Sequence, residues 1–395
     1  MRFFFYAVEV SIGTMSDKKV KKILIFSLAY YPHVGGAEVA IKEITDRIQD
    51  IEFHMVTLNF SEEKREEKIG NVFVHRIGSG NGKWNKYWYQ FFAAWEARSL
   101  HRKYHFDGIW AMMAHSCGIP AGIFKTLHPE VPYLLTLQEG DPLEHIERLA
   151  RPVWPLFKRG FTKADMVVAE STFLGRWARR MGFTGPLEVI PNGVDAERFA
   201  RVQHRVLNTN VVTLVTTSRL VNKNAVDDII RALQLLPEHV TFTIYGTGPD
   251  EIMLKTMAKN IGVETRVKFM GHVDQTRLPV LFNECDIFIR PSRSEGMGNS
   301  FIEAMAAELP VIATQEGGIA DFLFDAKRNP DKETTGWAVD RDSPKQIAEA
   351  VKEILENPEQ VVRVKATAKK MAVEKYDWNL IAEQMRSLFG TIIGI

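Results

Sequence analysis

Two glutamates, Glu295 and Glu303, lie eight positions apart in the segment RPSRSEGMGNSFIEAMA, which spans residues 290–306. The preceding run, CDIFIRPS, is typical of a short buried strand, and the residues after Ser300 have helical spacing. Glu295 is therefore predicted to lie in a loop at the carboxyl end of a strand. Ligands of open α/β sheets bind at that edge.

The structural alternative for these glutamates is helix capping. Ser300 and Glu303 form an S-x-x-E pattern, in which Glu303 could reach back to the start of its own helix. Gly296, Gly298 and Asn299 favour a ligand, because glycines before a helix start let backbone N–H groups approach an anion. We therefore expect a phosphate-bearing ligand here.

Two more strand-to-helix loops carry groups suited to phosphate. Gly35 and Gly36 follow the first strand, and their amides could contact a phosphate across a cleft; the alternative is a tight turn with Glu38 as a first-turn acid. Arg219 and Lys223, in SRLVNKN, open the second half of the chain. A guanidinium beside an ammonium suits a departing diphosphate, whereas the alternative is an ordinary solvated loop.

The remaining polar motifs are weaker. Gly317 follows PVIATQE, in the loop beyond the two-glutamate helix, and could also approach the ligand. Asp340 and Asp342 form a D-x-D, a pair that can hold a metal with a nucleotide. Because Ser343 and Pro344 follow directly, we expect a helix-start loop instead, and no metal.

Composition limits the function classes. The 50 basic and 49 acidic side chains balance, so nucleic acid is not an expected partner. Cys117 and Cys285 are far apart, which fits a reducing cytoplasm rather than a disulfide framework. The opening run MRFFFYAVEV is interrupted by Glu9 after too few apolar residues for a signal-peptide core, so we expect no export signal; residues 1–14 could be an over-called start or a loose tail.

Strands and helices alternate in two series along the 395 residues. The first series starts with KILIFSL and the second with VVTLVTTS, so we expect two parallel, doubly wound α/β domains facing a cleft. The turn in PLEVIPNGVDAERF places the hinge near residues 187–205.

Six segments, taken in order and spacing, resemble the retaining glycosyltransferases of family 4 (glycosyl transferases group 1), which have the GT-B fold. They are YYPHVGGAE, VIPNGVDAERF, SRLVNKN, YGTGP, RPSRSEGMGNSFIEAMAAELPVIAT and EGGIAD. The resemblance implies a tail over residues 1–19, a Rossmann-like acceptor domain over 20–190 and a nucleotide-sugar donor domain over 191–376. A C-terminal helix over 377–395 would cross back to the first domain.

By this resemblance, the chain would move a hexose or N-acetylhexosamine from a nucleotide-diphosphate sugar to a hydroxyl, giving an α-linked product. The front-face displacement of this family needs no strong protein base, metal or other cofactor. Arg219 and Lys223 would stabilise the diphosphate, Glu295 would hold the sugar and Glu303 the ribose. The further donor-binding residues that it implies are Gly35, Gly36, Gly298, Asn299, Ser300 and Gly317.

Two positions depart from the family pattern. Gln138, in TLQEGDP, stands where family members commonly have a histidine near the sugar. Gln138 and Asp141 could position sugar or acceptor, and His115 could supply an imidazole, although a lone histidine is often structural. Asn224 replaces a glycine that often follows the lysine, and we expect it to cap a helix.

Residues 83–106 and 148–163 interleave aromatic and basic side chains. They could meet a membrane surface, which would imply a lipid-linked glycan or phospholipid acceptor and peripheral contact at the inner face of the cell membrane. Alternatively, the aromatics fill the core and the charges are solvated. The alternative functions are a GT-B nucleotide-sugar epimerase or hydrolase and a noncatalytic nucleotide-sugar-binding subunit.

Overall fold

The computed structural model describes residues 20–80, 82–200 and 211–394. The expected tail over residues 1–19 and part of the expected hinge, residues 201–205, lie outside the described residues. Two sheets follow one another along the chain, and helices cover both faces of each sheet. The expected α/β architecture of two doubly wound domains is confirmed.

The first sheet has eight strands in the order β3-β4-β2-β1-β5-β6-β7-β8, and only the β3–β4 pair is antiparallel among its described strands. The order in which successive strands are added reverses between the parallel strands β1 and β5, and ligands of such sheets bind at this switch point. The strands are β1 Lys21–Phe26, β2 Ile51–Leu58, β3 Glu66–Ile69, β4 Val72–Ile77, β5 Gly108–Met112, β6 Tyr133–Leu137, β7 Met166–Ala169 and β8 Leu187–Val189.

The second sheet has six parallel strands in the order β11-β10-β9-β12-β13-β14, with its switch point between β9 and β12. Its strands are β9 Val212–Thr217, β10 Val240–Tyr245, β11 Val267–Phe269, β12 Ile287–Arg290, β13 Val311–Ala313 and β14 Trp337–Ala338. The central strands of both sheets are near-continuous apolar runs, because helices bury both of their faces.

Short loops join the strands to fourteen described α-helices. They are α1 Gly36–Arg47, α2 Lys83–Tyr104, α3 Ile119–Leu127, α4 Leu143–Ala150, α5 Trp154–Thr162, α6 Thr172–Arg180, α7 Ala196–Ala200, α8 Val226–Ala232, α9 Glu251–Asn260, α10 Leu278–Asn283, α11 Asn299–Ala306, α12 Pro344–Glu356, α13 Pro358–Tyr376 and α14 Trp378–Ile393.

Helix α14 returns to the first domain, as expected for the C-terminal crossing. The Val194 N–H donates to the carbonyl of Tyr376 at 2.6 Å, and Val194 accepts from the N–H of Trp378 at 3.2 Å. The two connections between the domains are thus hydrogen-bonded to each other. Phe389 of α14 then packs on Trp110, with ring centroids 5.2 Å apart. Apolar burial therefore holds the last helix on the first sheet.

A buried histidine pair lies within the first domain. His54 Nδ1 and His75 Nε2 are 3.0 Å apart, and Glu52 and Glu66 lie at the outer nitrogens. Burial lowers the pKa of both histidines and outweighs the two glutamates, which act in the opposite direction. The folded state therefore favours the neutral rings.

We expect the free energy of unfolding to fall as the pH drops below about 6.5, the pKa of histidine in an unfolded chain. Because the folded-state pKa values are lowered, the unfolded chain takes up protons first, and this contribution is complete only above that pH. The free energy of unfolding is measured with urea at several pH values between 5 and 8. Plotted against pH, it should rise less steeply for His54→Gln/His75→Gln than for the wild type, by about 1 kcal/mol per pH unit. The exposed His239→Gln serves as control; an identical slope in the double variant would contradict the assignment.

Candidate functional site

The carboxyl ends of both sheets face each other, and polar contacts join the domains across this cleft. The backbone N–H and hydroxyl of Thr172 donate to the carboxylate of Asp321 at 2.7 and 2.6 Å. Lys223 Nζ donates to the carbonyl of Gly140 at 2.7 Å and pairs with Asp141 at 2.9 Å. The structure therefore shows a closed cleft.

Lys223 and Glu295 converge on one point of the first domain. A Cβ atom built on Gly140 would lie 3.1 Å from Lys223 Nζ and 3.3 Å from Glu295 Oε1. The loops that carry the two side chains are joined to each other, because the Arg293 N–H donates to the Lys223 carbonyl at 2.7 Å. An ammonium and a carboxylate from the second domain thus share a single pocket wall.

Arg290 fixes Glu295. It ends strand β12, is buried, and forms an ion pair with the Glu295 carboxylate. Its Nη1 donates to Ser300 Oγ at 2.8 Å, and its guanidinium lies 4.3 Å from the ring centroid of Phe301. Arg290 was not predicted from sequence, although an arginine that ends an apolar strand is a usable signal.

The start of α11 is not capped by its own glutamate. The Ser300 hydroxyl accepts from Arg290, and the described residues show no capping box between Ser300 and Glu303. Gly298 precedes the helix with φ +87°, and a Cβ there would lie 2.6 Å from Arg290 Nη2. The helix terminus therefore stays open, with the backbone N–H groups of its first turn available to an anion.

Burial raises the pKa of Glu303 to about 7, although Arg290 and Arg198 act in the opposite direction. The carboxyl group is thus poised to change charge near neutral pH.

Gly317 shapes the loop beneath Glu295. Its φ is +60°, and a Cβ would lie 1.9 Å from the Glu295 carbonyl oxygen. The next residue, Gly318, donates its N–H to that same oxygen at 3.2 Å. The two loops can pack together only because both positions lack side chains.

A polar network from the first domain reaches α11. Gln138 Nε2 donates to Asn192 Oδ1 at 2.7 Å, and Asn192 Nδ2 lies 3.1 Å from both Glu170 Oε2 and Asn299 Oδ1. Burial raises the pKa of Glu170 well above its usual range, and the nearby Glu295 acts in the same direction. Asn192 was predicted from sequence only as part of a turn, and Glu170, the acid that follows a buried strand, was not predicted.

Glu139 orients His115. The backbone N–H of His115 donates to Glu139 Oε1 at 3.2 Å, and the ring Nδ1 of His115 lies 3.5 Å from the same oxygen. Glu139 is fully buried, whereas the imidazole is 38% exposed. Burial works against ionisation of Asp141, but Lys223 outweighs it, and with help from His115 the pKa of Asp141 is lowered. His115, Asp141 and Lys223 therefore share the pocket, and Glu139 was missed beside Gln138.

The structure corrects the prediction for Asn224 and does not test the one for Arg219. Asn224 does not cap a helix: Ala225, with φ +53°, stands at the N-cap of α8, and Asn224 Nδ2 donates to the Arg219 carbonyl at 2.6 Å. Asn224 therefore shapes the loop. The exposed guanidinium of Arg219 forms no ion pair within the described residues, so its binding role stays a prediction.

Glu38 has the structural role given above as the alternative, that of an acid in the first turn of α1. Its carboxylate accepts the Gly35 N–H at 2.7 Å and closes the start of α1. A donor-binding role for Gly35 and Gly36 stays a prediction.

The D-x-D pair is tied to arginines. Asp342 pairs with Arg293 at 2.6 Å and Asp340 with Arg328 at 3.0 Å. In the described part of the chain, the one cluster with metal-ligand spacing is His101, His128 and Glu130, which lies outside the cleft.

Comparisons with known proteins match nearly the whole described chain. The family model described as Glycosyltransferase Family 4 matches residues 34–198, and the model described as Glycosyl transferases group 1 matches residues 198–371. A GDP-mannose-dependent alpha-(1-6)-phosphatidylinositol monomannoside mannosyltransferase of Mycobacterium tuberculosis is 30% identical over 239 residues, covering 56% of this chain. The match spans 60% of the length of that relative.

Solved structures share the fold at low identity. A sucrose-phosphate synthase from Thermosynechococcus elongatus superposes with a TM-score of 0.79 at 18% identity, covering 94% of this chain and 98% of that one. Anabaena HepE in complex with UDP-glucose gives 0.75 at 18% identity, covering 94% and 99%.

Gly317→Ala should lower the free energy of unfolding by roughly 2–4 kcal/mol, because the new methyl group meets the Glu295 carbonyl in a left-handed backbone conformation. Denaturant unfolding measures this change. Gly36→Ala is the matched control, since a Cβ there meets nothing within 4 Å. Equal stabilities for the two variants would show that the Gly317 loop tolerates a side chain.

Proposed function

We propose that this chain, which belongs to glycosyltransferase family 4, transfers a hexose or N-acetylhexosamine from a nucleotide-diphosphate sugar to a hydroxyl group. The anomeric configuration is retained, and the product is α-linked. The convergence of Lys223 and Glu295 on Gly140 carries the proposal. A cation for the diphosphate and a carboxylate for the sugar meet where the bond between them must break.

The diphosphate lies at the open start of α11 in this proposal. Lys223 supplies an ammonium, and the N–H groups at Asn299 and Ser300 add the positive end of the helix dipole. Arg219 lies in the same strand-to-helix loop as Lys223 and completes the cationic side. Such preorganised charges stabilise the leaving group as its negative charge develops.

Glu295 holds hydroxyls of the donor sugar and faces its reacting carbon. Arg290 keeps the carboxylate in one place, so little reorganisation is needed when the sugar binds. Glu303, one turn further along α11, accepts hydrogen bonds from ribose hydroxyls.

The acceptor hydroxyl enters from the first domain, beside His115, Gln138 and Asp141. Its oxygen forms a bond to the anomeric carbon as the bond from that carbon to the phosphate oxygen breaks. The acceptor proton passes to the departing phosphate oxygen, so the nucleoside diphosphate leaves and no side chain acts as strong base. Glu139 positions His115 for a hydrogen bond to sugar or acceptor.

A glycan or lipid-linked acceptor at the cytoplasmic face of a membrane fits this arrangement. The mannosyltransferase relative carries a phosphatidylinositol mannoside in its name, which supports a lipid-linked acceptor. No described helix is long and apolar enough to span a bilayer.

A panel of UDP, GDP, ADP and their hexose and N-acetylhexosamine conjugates tests the donor. One nucleotide class should raise the melting temperature, because a ligand at 100 times its Kd stabilises the folded state by about 2.7 kcal/mol. Lys223→Ala should abolish the shift and slow diphosphate release about 100-fold, because the leaving charge loses its cation. Lys345→Ala, at an exposed lysine of α12, is the matched control. A panel without any shift would refute the proposed donor site.

Nucleotide affinity should fall as the pH drops through about 7, the raised pKa of Glu303. Ribose hydroxyls donate to the ionised carboxylate, so protonation removes the better acceptor. Titration calorimetry of the matching nucleoside diphosphate between pH 6 and 8 measures the effect. Glu303→Gln should bind more weakly and without this pH dependence; a persisting dependence would assign it to another group.

A further inference from the structure

Helix α2 carries a stripe of exposed aromatic side chains, here called the outer stripe. Its members recur at intervals of three and four residues, so they lie on one helical face. They are Trp84, Tyr87, Trp88, Phe91, Phe92 and Trp95, with exposed fractions between 38% and 76%. Such a patch is unusual on a water-facing helix.

The outer stripe is not needed to attach α2 to its domain. A second face of the helix is buried, with Tyr89, Ala93 and Ala97 inside the core of the first sheet. The Tyr89 hydroxyl contacts the carbonyls of Ser27 and Val56 at 3.0 and 2.9 Å. The helix is thus anchored from one side and apolar on the other.

The two aromatic stretches noted in the sequence therefore differ. In residues 148–163, Phe157 and Phe161 are buried, so the core explanation applies to them. For residues 83–106 that explanation holds for the inner face of α2 and for Phe106, but not for the outer stripe.

A groove of about 620 Å³ runs beside the outer stripe. Trp88, Phe92 and Trp95 form one wall, and Leu58 and Ile77, at the ends of strands β2 and β4, form the other. Because both walls are mainly apolar, the groove extends the apolar surface beyond the stripe itself.

Positive charge accompanies this surface. Residues 83–104 contain five basic side chains and one acidic one, a net charge of +4, whereas the whole chain carries +1. Residues 148–163 add five basic and no acidic side chains. Both segments cover the same face of the first sheet, because their buried aromatics share one core. The helix that carries the stripe and the second basic segment on the same face of the sheet are therefore complementary to an anionic partner.

We propose that the outer stripe of α2 docks the protein on an anionic lipid bilayer. Tryptophan and tyrosine favour the boundary between headgroups and hydrocarbon, and neighbouring lysines and arginines are attracted to anionic headgroups. The contact is peripheral, with the stripe inserted among the headgroups.

The docking surface adjoins the acceptor side of the cleft. Gln90 of α2 donates its amide to the carbonyl of His115 at 3.4 Å. A bilayer beneath α2 would therefore present lipid-linked hydroxyls next to the imidazole. This deepens the proposed function by naming the surface where the acceptor is met, but bilayer binding itself does not depend on the chemistry.

Co-sedimentation of the full chain with vesicles tests the proposal. Vesicles of phosphatidylglycerol and phosphatidylcholine should bind the protein at least tenfold more tightly than phosphatidylcholine alone, and salt should weaken the binding. Trp84→Ser/Trp88→Ser/Phe92→Ser should weaken binding to the anionic vesicles at least tenfold.

The matched control replaces three exposed apolar residues of the second domain, Ile252→Ser/Val280→Ser/Val362→Ser. This variant should bind vesicles as the wild type does. The melting shift of each variant with the matching nucleotide separates the two proposals, since it reports the donor site alone and should be unchanged.

Three outcomes would overturn the docking surface. The wild type could ignore both kinds of vesicle, or both triple variants could lose binding equally. Sedimentation velocity could also show a wild-type dimer that the α2 variant abolishes, in which case a second copy of the chain covers the stripe.

Discussion

The cleft depends on one interaction, the ion pair between the buried guanidinium of Arg290 and the carboxylate of Glu295. A charge inside a protein must be paired, because an isolated one costs several kcal/mol. Glu295 supplies the opposite charge, Ser300 accepts a hydrogen bond, and the ring of Phe301 covers the flat face. The end of a strand, the following loop and the start of a helix are thereby held in one arrangement.

This arrangement explains the glycines around it. A side chain at Gly298 would strike the guanidinium, and one at Gly317 would strike the backbone of Glu295. These glycines are therefore needed for the packing of the loops as much as for the approach of a ligand. The open helix start follows from the same geometry, because Ser300 is engaged with Arg290 rather than with its own helix. One ion pair thus shapes both the position of Glu295 and the open start of α11.

The closed cleft is held by contacts of different strength. Asn192 lies within a buried network that joins Gln138 to Asn299. Two residues further along the chain, Val194 forms a β-bridge with Asp377, which directly precedes α14. The Lys223–Asp141 pair is more exposed, and such pairs contribute little stability. In the proposed function, an incoming diphosphate, which carries more charge than Asp141, takes its place at the ammonium. Opening and closing would then occur about the two connections near Val194.

The sequence by itself determined the two parallel sheets, because buried strands must read as apolar runs and their loops must carry the polar groups. It also singled out Glu295 and Glu303 through their spacing, and Arg219 and Lys223 through their place in a strand-to-helix loop. Tertiary structure alone decided which partner Ser300 takes, and it brought Glu139, Glu170 and Asn192 into the pocket from loops distant in sequence. Aromatic runs in α2 and α5 look alike, yet Trp177 covers Phe157 and Phe161, whereas the outer stripe of α2 stays exposed. Periodicity shows which face of a helix is apolar, and only the packing of distant segments decides what covers it.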